Sequence, residues 1–135
     1  ILIVYMDSTN FFLKLIFHSL VLFLIILSLF PGSLLGLLFY GDIGRQPNLV
    51  ENPFGTAINH FFYYISLSIL GFFIYLKSKD FNKLVIGLFV LSITLEILHT
   101  IIPNRAFQIG DLIGNILGVL IAYLIVKIYL YIIKK

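Results

Sequence analysis

The chain has 135 residues, of which 61% are hydrophobic and 11% charged, with a net charge of +3. Soluble domains carry roughly 25% charged residues, so a soluble fold of this length could not cover so much Leu, Ile and Phe, and the solvent must be lipid. The positive charge is scattered over segment ends and makes no nucleic-acid patch, while the lack of cysteine excludes a disulfide framework and a thiolate metal site.

Four apolar runs follow one another, at about 11–30, 57–76, 81–102 and 109–133. Each is close to the ~20 residues that cross ~30 Å of hydrocarbon, and helices satisfy their own backbone hydrogen bonds there. The expected fold is all-α, an integral membrane bundle of four transmembrane helices forming one domain over residues 1–135. Residues 1–10, which include the single methionine Met6, stay outside this reading. No small-x-small pattern closes the first run at Pro31, so we expect a retained span and not a cleaved leader. Leu34–Tyr40 is apolar but too short to span, which suits the interface or a re-entrant turn.

Lys14, Lys77, Lys79, Lys83, Lys127, Lys134 and Lys135 fall on one side of this topology, against Arg45 and Arg105 on the other. The positive-inside rule then places both termini in the cytoplasm. The loop 31–56 and the short turn "PNRAFQ" (Pro103 to Gln108) face outward. In the long loop, "GDIGRQPNLVENP" is suited to covering a pocket entrance, with Asp42, Arg45 and Glu51 as specificity elements or as plain solvated groups.

The polar residues gather where the third and fourth spans meet. Glu96 and His99 are three apart on one face, and Asp111 and Asn115 are four apart on another. Counting from the turn opposes Glu96 to Asn115 and His99 to Asp111, as two polar rungs within roughly 10 Å of the outer helix ends. His60 and Tyr64 share a face at the same depth on the second span. The expectation is one outer-leaflet pocket lined by His60, Tyr64, Glu96, His99, Asp111 and Asn115, with Arg105 at its mouth and near both carboxylates. Gly110, Gly114 and Gly118 make a second stripe at four-residue spacing, suited to close approach by another helix and to a possible homo-oligomer.

The pattern E-x-x-H-x-x-x-P-x-R from Glu96, followed by D-x-x-x-N-x-x-G from Asp111, resembles the VanZ-like family of small bacterial membrane proteins. A His followed four later by Tyr, met here as His60 and Tyr64, is similar to an earlier motif of that family. The resemblance covers Thr56 to Ala122. It departs at Thr56 and Ala57, where relatives often carry Asp-Lys, and at His99, where they usually carry Gln. It implies a multi-pass protein of the bacterial cytoplasmic membrane, a cell-envelope setting and a polar cluster that matters. One member is associated with lowered teicoplanin sensitivity, and the family carries no established reaction.

Three readings of the cluster follow. It is a register-fixing network, a site for an amphiphilic or lipid-linked envelope molecule, or a membrane-embedded catalytic site acting on lipid-linked precursors. In the last, Glu96 or Asp111 serves as base and His99 or His60 as acid. Glu96, His99, Asp111 and His60 together would offer four metal ligands, but the single short pattern is weak, and neither a metal nor another cofactor is expected.

Overall fold

The computed structural model describes residues 2–47 and 53–134, with side chains from Asn10 onward. Five helices follow in order: α1 (Leu2–Leu29), α2 (Leu34–Tyr40), α3 (Ala57–Ile74), α4 (Phe81–Leu98) and α5 (Ile109–Ile133), with no strand among the described residues. Four contain stretches long and apolar enough to cross a membrane: Asn10–Leu29 within α1, and all of α3, α4 and α5. Phe12, Ile86, Leu38 and Ile128 are among many large apolar side chains turned outward, which is favourable only where lipid surrounds the bundle.

Two helix ends differ from expectation. The helix α4 stops at Leu98, four residues before the expected 102. Pro103 disfavours helical geometry in the residue before it. The N–H groups of His99, Thr100 and Ile101 bond to carbonyls three residues back, and Thr100 Oγ1 donates to the Ile97 carbonyl at 2.8 Å. The chain therefore tightens into a 3₁₀-type turn before it leaves the helix. Likewise α3 ends at Ile74 instead of 76, as Leu76 N–H turns back to Phe73. At the other end of the chain, α1 extends upstream to Leu2, through residues left outside the sequence reading.

The apolar run 34–40 is a short helix. Ser33 caps it by accepting from Gly36 N–H at 2.9 Å, and Gly41 closes it in the left-handed conformation at φ 69°. Gly36 packs against the backbone carbonyls of Asp42 and Arg45, which folds the loop back on the helix. Leu38 and Phe39 are about two-thirds exposed, as an interfacial element would be.

The bundle is organised around α3 and α5, which run parallel and in close contact. A methyl group on Gly114 would lie 2.5 Å from the Ala57 carbonyl oxygen, and one on Gly118 would lie 2.8 Å from that of Phe61. The glycine row is therefore occupied by α3 of the same chain, and the oligomer seam expected there has no free surface at Gly114 and Gly118. On the far side of α3, Phe17 of α1 fills the notch at Gly71. Phe72, Val119, Ala122 and Val126 form the buried centre, with Leu88 and Leu95 from α4.

The turn between α4 and α5 contains the one described non-glycine residue with positive φ, Asn104 at 59°. Asparagine tolerates this conformation, whereas a β-branched side chain meets the following carbonyl. Asn104→Val is expected to lower stability by roughly 1–2 kcal/mol and Asn104→Gly to leave it nearly unchanged, as read by thermal unfolding in detergent. Equal stability of the two variants would mean that this backbone geometry is not maintained.

Candidate functional site

The polar site lies where the N-terminal ends of α3 and α5 meet the C-terminal end of α4. Each helix contributes from its first or last turns, so the charged groups lie near the edge of the apolar layer, where ionisable side chains cost less than at its centre.

Glu96 is wholly buried. Its Oε1 accepts from the Gln108 N–H at 2.9 Å, and Oε2 lies 3.2 Å from His99 Nδ1. Gln108 is the N-cap residue of α5 and makes no side-chain cap bond of its own, so a carboxylate from α4 meets the positive end of α5. Asp111, in the first turn of α5, accepts from Thr56 Oγ1 at 2.9 and 3.1 Å and faces His60 Nε2 at 3.4 Å. Asn115 donates to the Ser92 carbonyl at 3.3 Å, which turns its oxygen toward His60 Nδ1 at 2.9 Å.

These contacts change the expected rungs. Asn115 meets Ser92 and His60 instead of Glu96, and Glu96 pairs with His99 of its own chain segment instead of leaving His99 to Asp111. The offset is about one helical turn. Glu96 reaches forward to the α5 cap, which draws its carboxylate out of line with Asn115.

Arg105 is also placed differently. Its Nη2 donates to the Leu27 carbonyl at 2.6 Å and its Nε to that of Phe30 at 3.3 Å. The described part of α1 has no basic residue in its last turn, and Arg105 supplies that charge from the far loop. Burial lowers the pKa of its guanidinium, while the nearby Glu96 and Asp111 act in the opposite direction. A guanidinium so far from neutrality remains charged at pH 7. The carboxylates lie near Arg105, as expected, and act on it through space, while its donors cap the end of α1.

Two cavities flank Arg105 and His99. The inner one, about 120 Å³, is bounded by Leu24 and Leu27 of α1, Ser33 to Leu35 at α2, Gln46 and Pro47 of the loop, and Asn59, His60, Tyr63, Tyr64 and His99. The outer one, about 260 Å³, is bounded by Gln46, Asn104, Ala106, Gln108 and Asp111. Of the seven residues expected to line a pocket, His60, Tyr64, His99 and Arg105 line the inner cavity. Asp111 lines the outer one with His99 and Arg105, whereas Glu96 and Asn115 stand behind both walls. The Tyr64 hydroxyl and His99 Nε2 are buried and find no hydrogen-bond partner among the described residues.

Sequence reasoning missed Thr56 and Ser92 as parts of this site, and it expected the loop that carries Gln46 and Pro47 to cover the entrance without singling out those two residues. A hydroxyl just before an apolar run was the available signal for Thr56. Asp42 and Arg45 are solvated: Asp42 accepts from Gly44 N–H at 2.8 Å and Arg45 lies 4.0 Å over the Tyr40 ring. Glu51 lies outside the described residues.

Together these observations define a polytopic helical membrane protein with a polar cluster at one end of the bundle and a cavity reaching into it. The sequence model of the VanZ/LLP1 family matches residues 7–131, and the chain belongs to that family. No match was found among curated proteins or among solved structures.

Proposed function

We propose that the protein binds the anionic headgroup of an amphiphilic or lipid-linked envelope molecule in the inner cavity. The observation carrying this reading is the pair of buried, unpartnered polar atoms, Tyr64 Oη and His99 Nε2, on a cavity wall shared with Arg105. Buried polar atoms normally find partners, and those that do not suggest an absent ligand. The Leu24, Leu27, Leu34 and Leu35 side chains give the same cavity an apolar wall suited to the stem of an amphiphile. Its volume suits a group of phosphate size. A larger molecule would leave its bulk in the lipid or above the membrane.

The lysine distribution supports both termini lying in the cytoplasm, which puts the cavity in the outer leaflet, and this reading takes the membrane to be a bacterial cytoplasmic one. Lowered glycopeptide sensitivity would follow if the bound molecule were an envelope precursor. The catalytic alternative finds less support at Glu96, whose carboxylate lines neither cavity and is held through Oε1 by the Gln108 N–H.

The test uses Tyr64→Phe and His99→Gln, which retain most of the shape of each side chain. Binding of a long-chain polyprenyl phosphate to the detergent-purified protein is expected to weaken by about tenfold in each, the equivalent of one hydrogen bond. Teicoplanin tolerance of a sensitive host should fall in parallel while membrane levels hold. Unchanged binding in both folded variants would sink the headgroup reading.

A further inference from the structure

We propose that His60, Glu96 and Asp111 form a site for a divalent transition-metal cation. The site does not depend on the headgroup reading above, and it runs against the expectation of a metal-free protein. The three residues come from α3, α4 and α5, and one ligand atom from each lies within 4.8 Å of the others. His99 stays outside this group, so the four-ligand set weighed from the sequence is not the one assembled here.

The orientation of His60 carries the argument. The Asn115 amide is anchored by its donation to the Ser92 carbonyl, which leaves its oxygen to accept from His60 Nδ1. The proton of a neutral His60 ring therefore sits on Nδ1, and Nε2 presents a lone pair. That lone pair faces the Asp111 carboxylate at 3.4 Å, an acceptor against an acceptor. A cation between them resolves the conflict. The separation suits one, because two ligands of a tetrahedral zinc with bonds of ~2.0–2.1 Å stand about 3.3 Å apart.

The third ligand is already desolvated. Glu96 is completely buried, and its Oε2 has no hydrogen-bond partner among the described residues, with His99 Nδ1 standing 3.2 Å away. Each ligand is held from behind: His60 by Asn115, Glu96 by Gln108 N–H and Asp111 by Thr56. Partners of this kind orient metal ligands and raise their basicity. One imidazole with two carboxylates suits Zn²⁺ or Mn²⁺ better than the all-oxygen preference of Mg²⁺ or Ca²⁺. Two positive charges would also neutralise the two carboxylates.

The test is calorimetric titration of chelator-treated, detergent-purified protein with Zn²⁺, and with Mn²⁺ in a second series. One equivalent per chain is expected, with saturable binding lost in His60→Gln and retained in His18→Ala, whose imidazole is exposed on α1. Asn115→Ala should weaken the affinity by about 10–100-fold, the usual effect of removing such a support. Mn²⁺ broadening of the wild-type imidazole proton signals supplies a reading that needs no variant, and His60 should broaden before His18. The proposal is overturned if the wild type binds no metal saturably, if folded His60→Gln binds as well as wild type, or if His18 broadens first. Polyprenyl phosphate binding by metal-free protein is measured separately, so failure here and failure of the headgroup reading are distinguishable.

Discussion

Glu96→Ala is expected to destabilise the bundle by roughly 2–4 kcal/mol, since a buried donor left without its acceptor costs about 1–3 kcal/mol and the vacated volume adds to it. The loss has two parts. Gln108 N–H loses its acceptor at the start of α5, and the His99 imidazole, only 3% exposed, loses the carboxylate beside it. Glu96→Gln retains an oxygen for Gln108 and nearly the same volume, so its cost should be smaller, at about 1–2 kcal/mol. Denaturant unfolding in mixed micelles, followed by helical circular dichroism, separates the two. If both variants lose less than ~1 kcal/mol, Glu96 does not join α4 to α5. The same pair of variants helps to interpret any loss of envelope phenotype. A Glu96→Gln protein that folds yet loses activity assigns the carboxylate a role beyond holding α5.

Gly114→Ala and Gly118→Ala should each destabilise by at least ~2 kcal/mol, toward the upper part of the range for overpacking. At both positions the added methyl meets backbone atoms of α3, which have no rotamer to adopt. At Gly118 it would lie 2.8 Å from Phe61 O and 2.9 Å from Ile65 N. Gly110 belongs to the same stripe, but its methyl would lie 3.7 Å from Ala57 Cβ, an ordinary contact. Gly110→Ala should therefore be close to neutral. Gly87 on α4 has open space around it, and Gly87→Ala should gain up to ~1 kcal/mol from helix propensity. Stability in lipid nanodiscs checks all four. Equal effects at Gly110, Gly114 and Gly118 would show that the tight α3–α5 contact is wrong, as would loss of an oligomer without loss of monomer stability.

A larger Gly114 or Gly118 side chain also has consequences for the site. Pushing α3 from α5 separates His60 from Asn115 and Asp111, and Thr56 from Asp111, since these contacts cross the same helix pair. Packing and site geometry are thus coupled through α3.

The sequence alone determined the class of the molecule, the number of long apolar helices and the end of the bundle where the polar residues gather. Hydropathy and run length report how deep a residue lies along a helix, and three- and four-residue spacing reports which face it shares. Those quantities brought His60, Glu96, His99, Asp111 and Asn115 to a common depth, where the structure also places them. The tertiary structure decided who meets whom. The glycine stripe signalled that some backbone comes close, but α3 as the partner follows only from the path of the chain. Arg105 could have met a carboxylate by depth alone, yet the end of α1 is nearer and offers unpaired carbonyls. Gln46 and Pro47 reach the cavity because the loop folds back over α2, an arrangement without periodicity. Depth and face are local properties of one helix; neighbours depend on contacts between segments far apart in the chain.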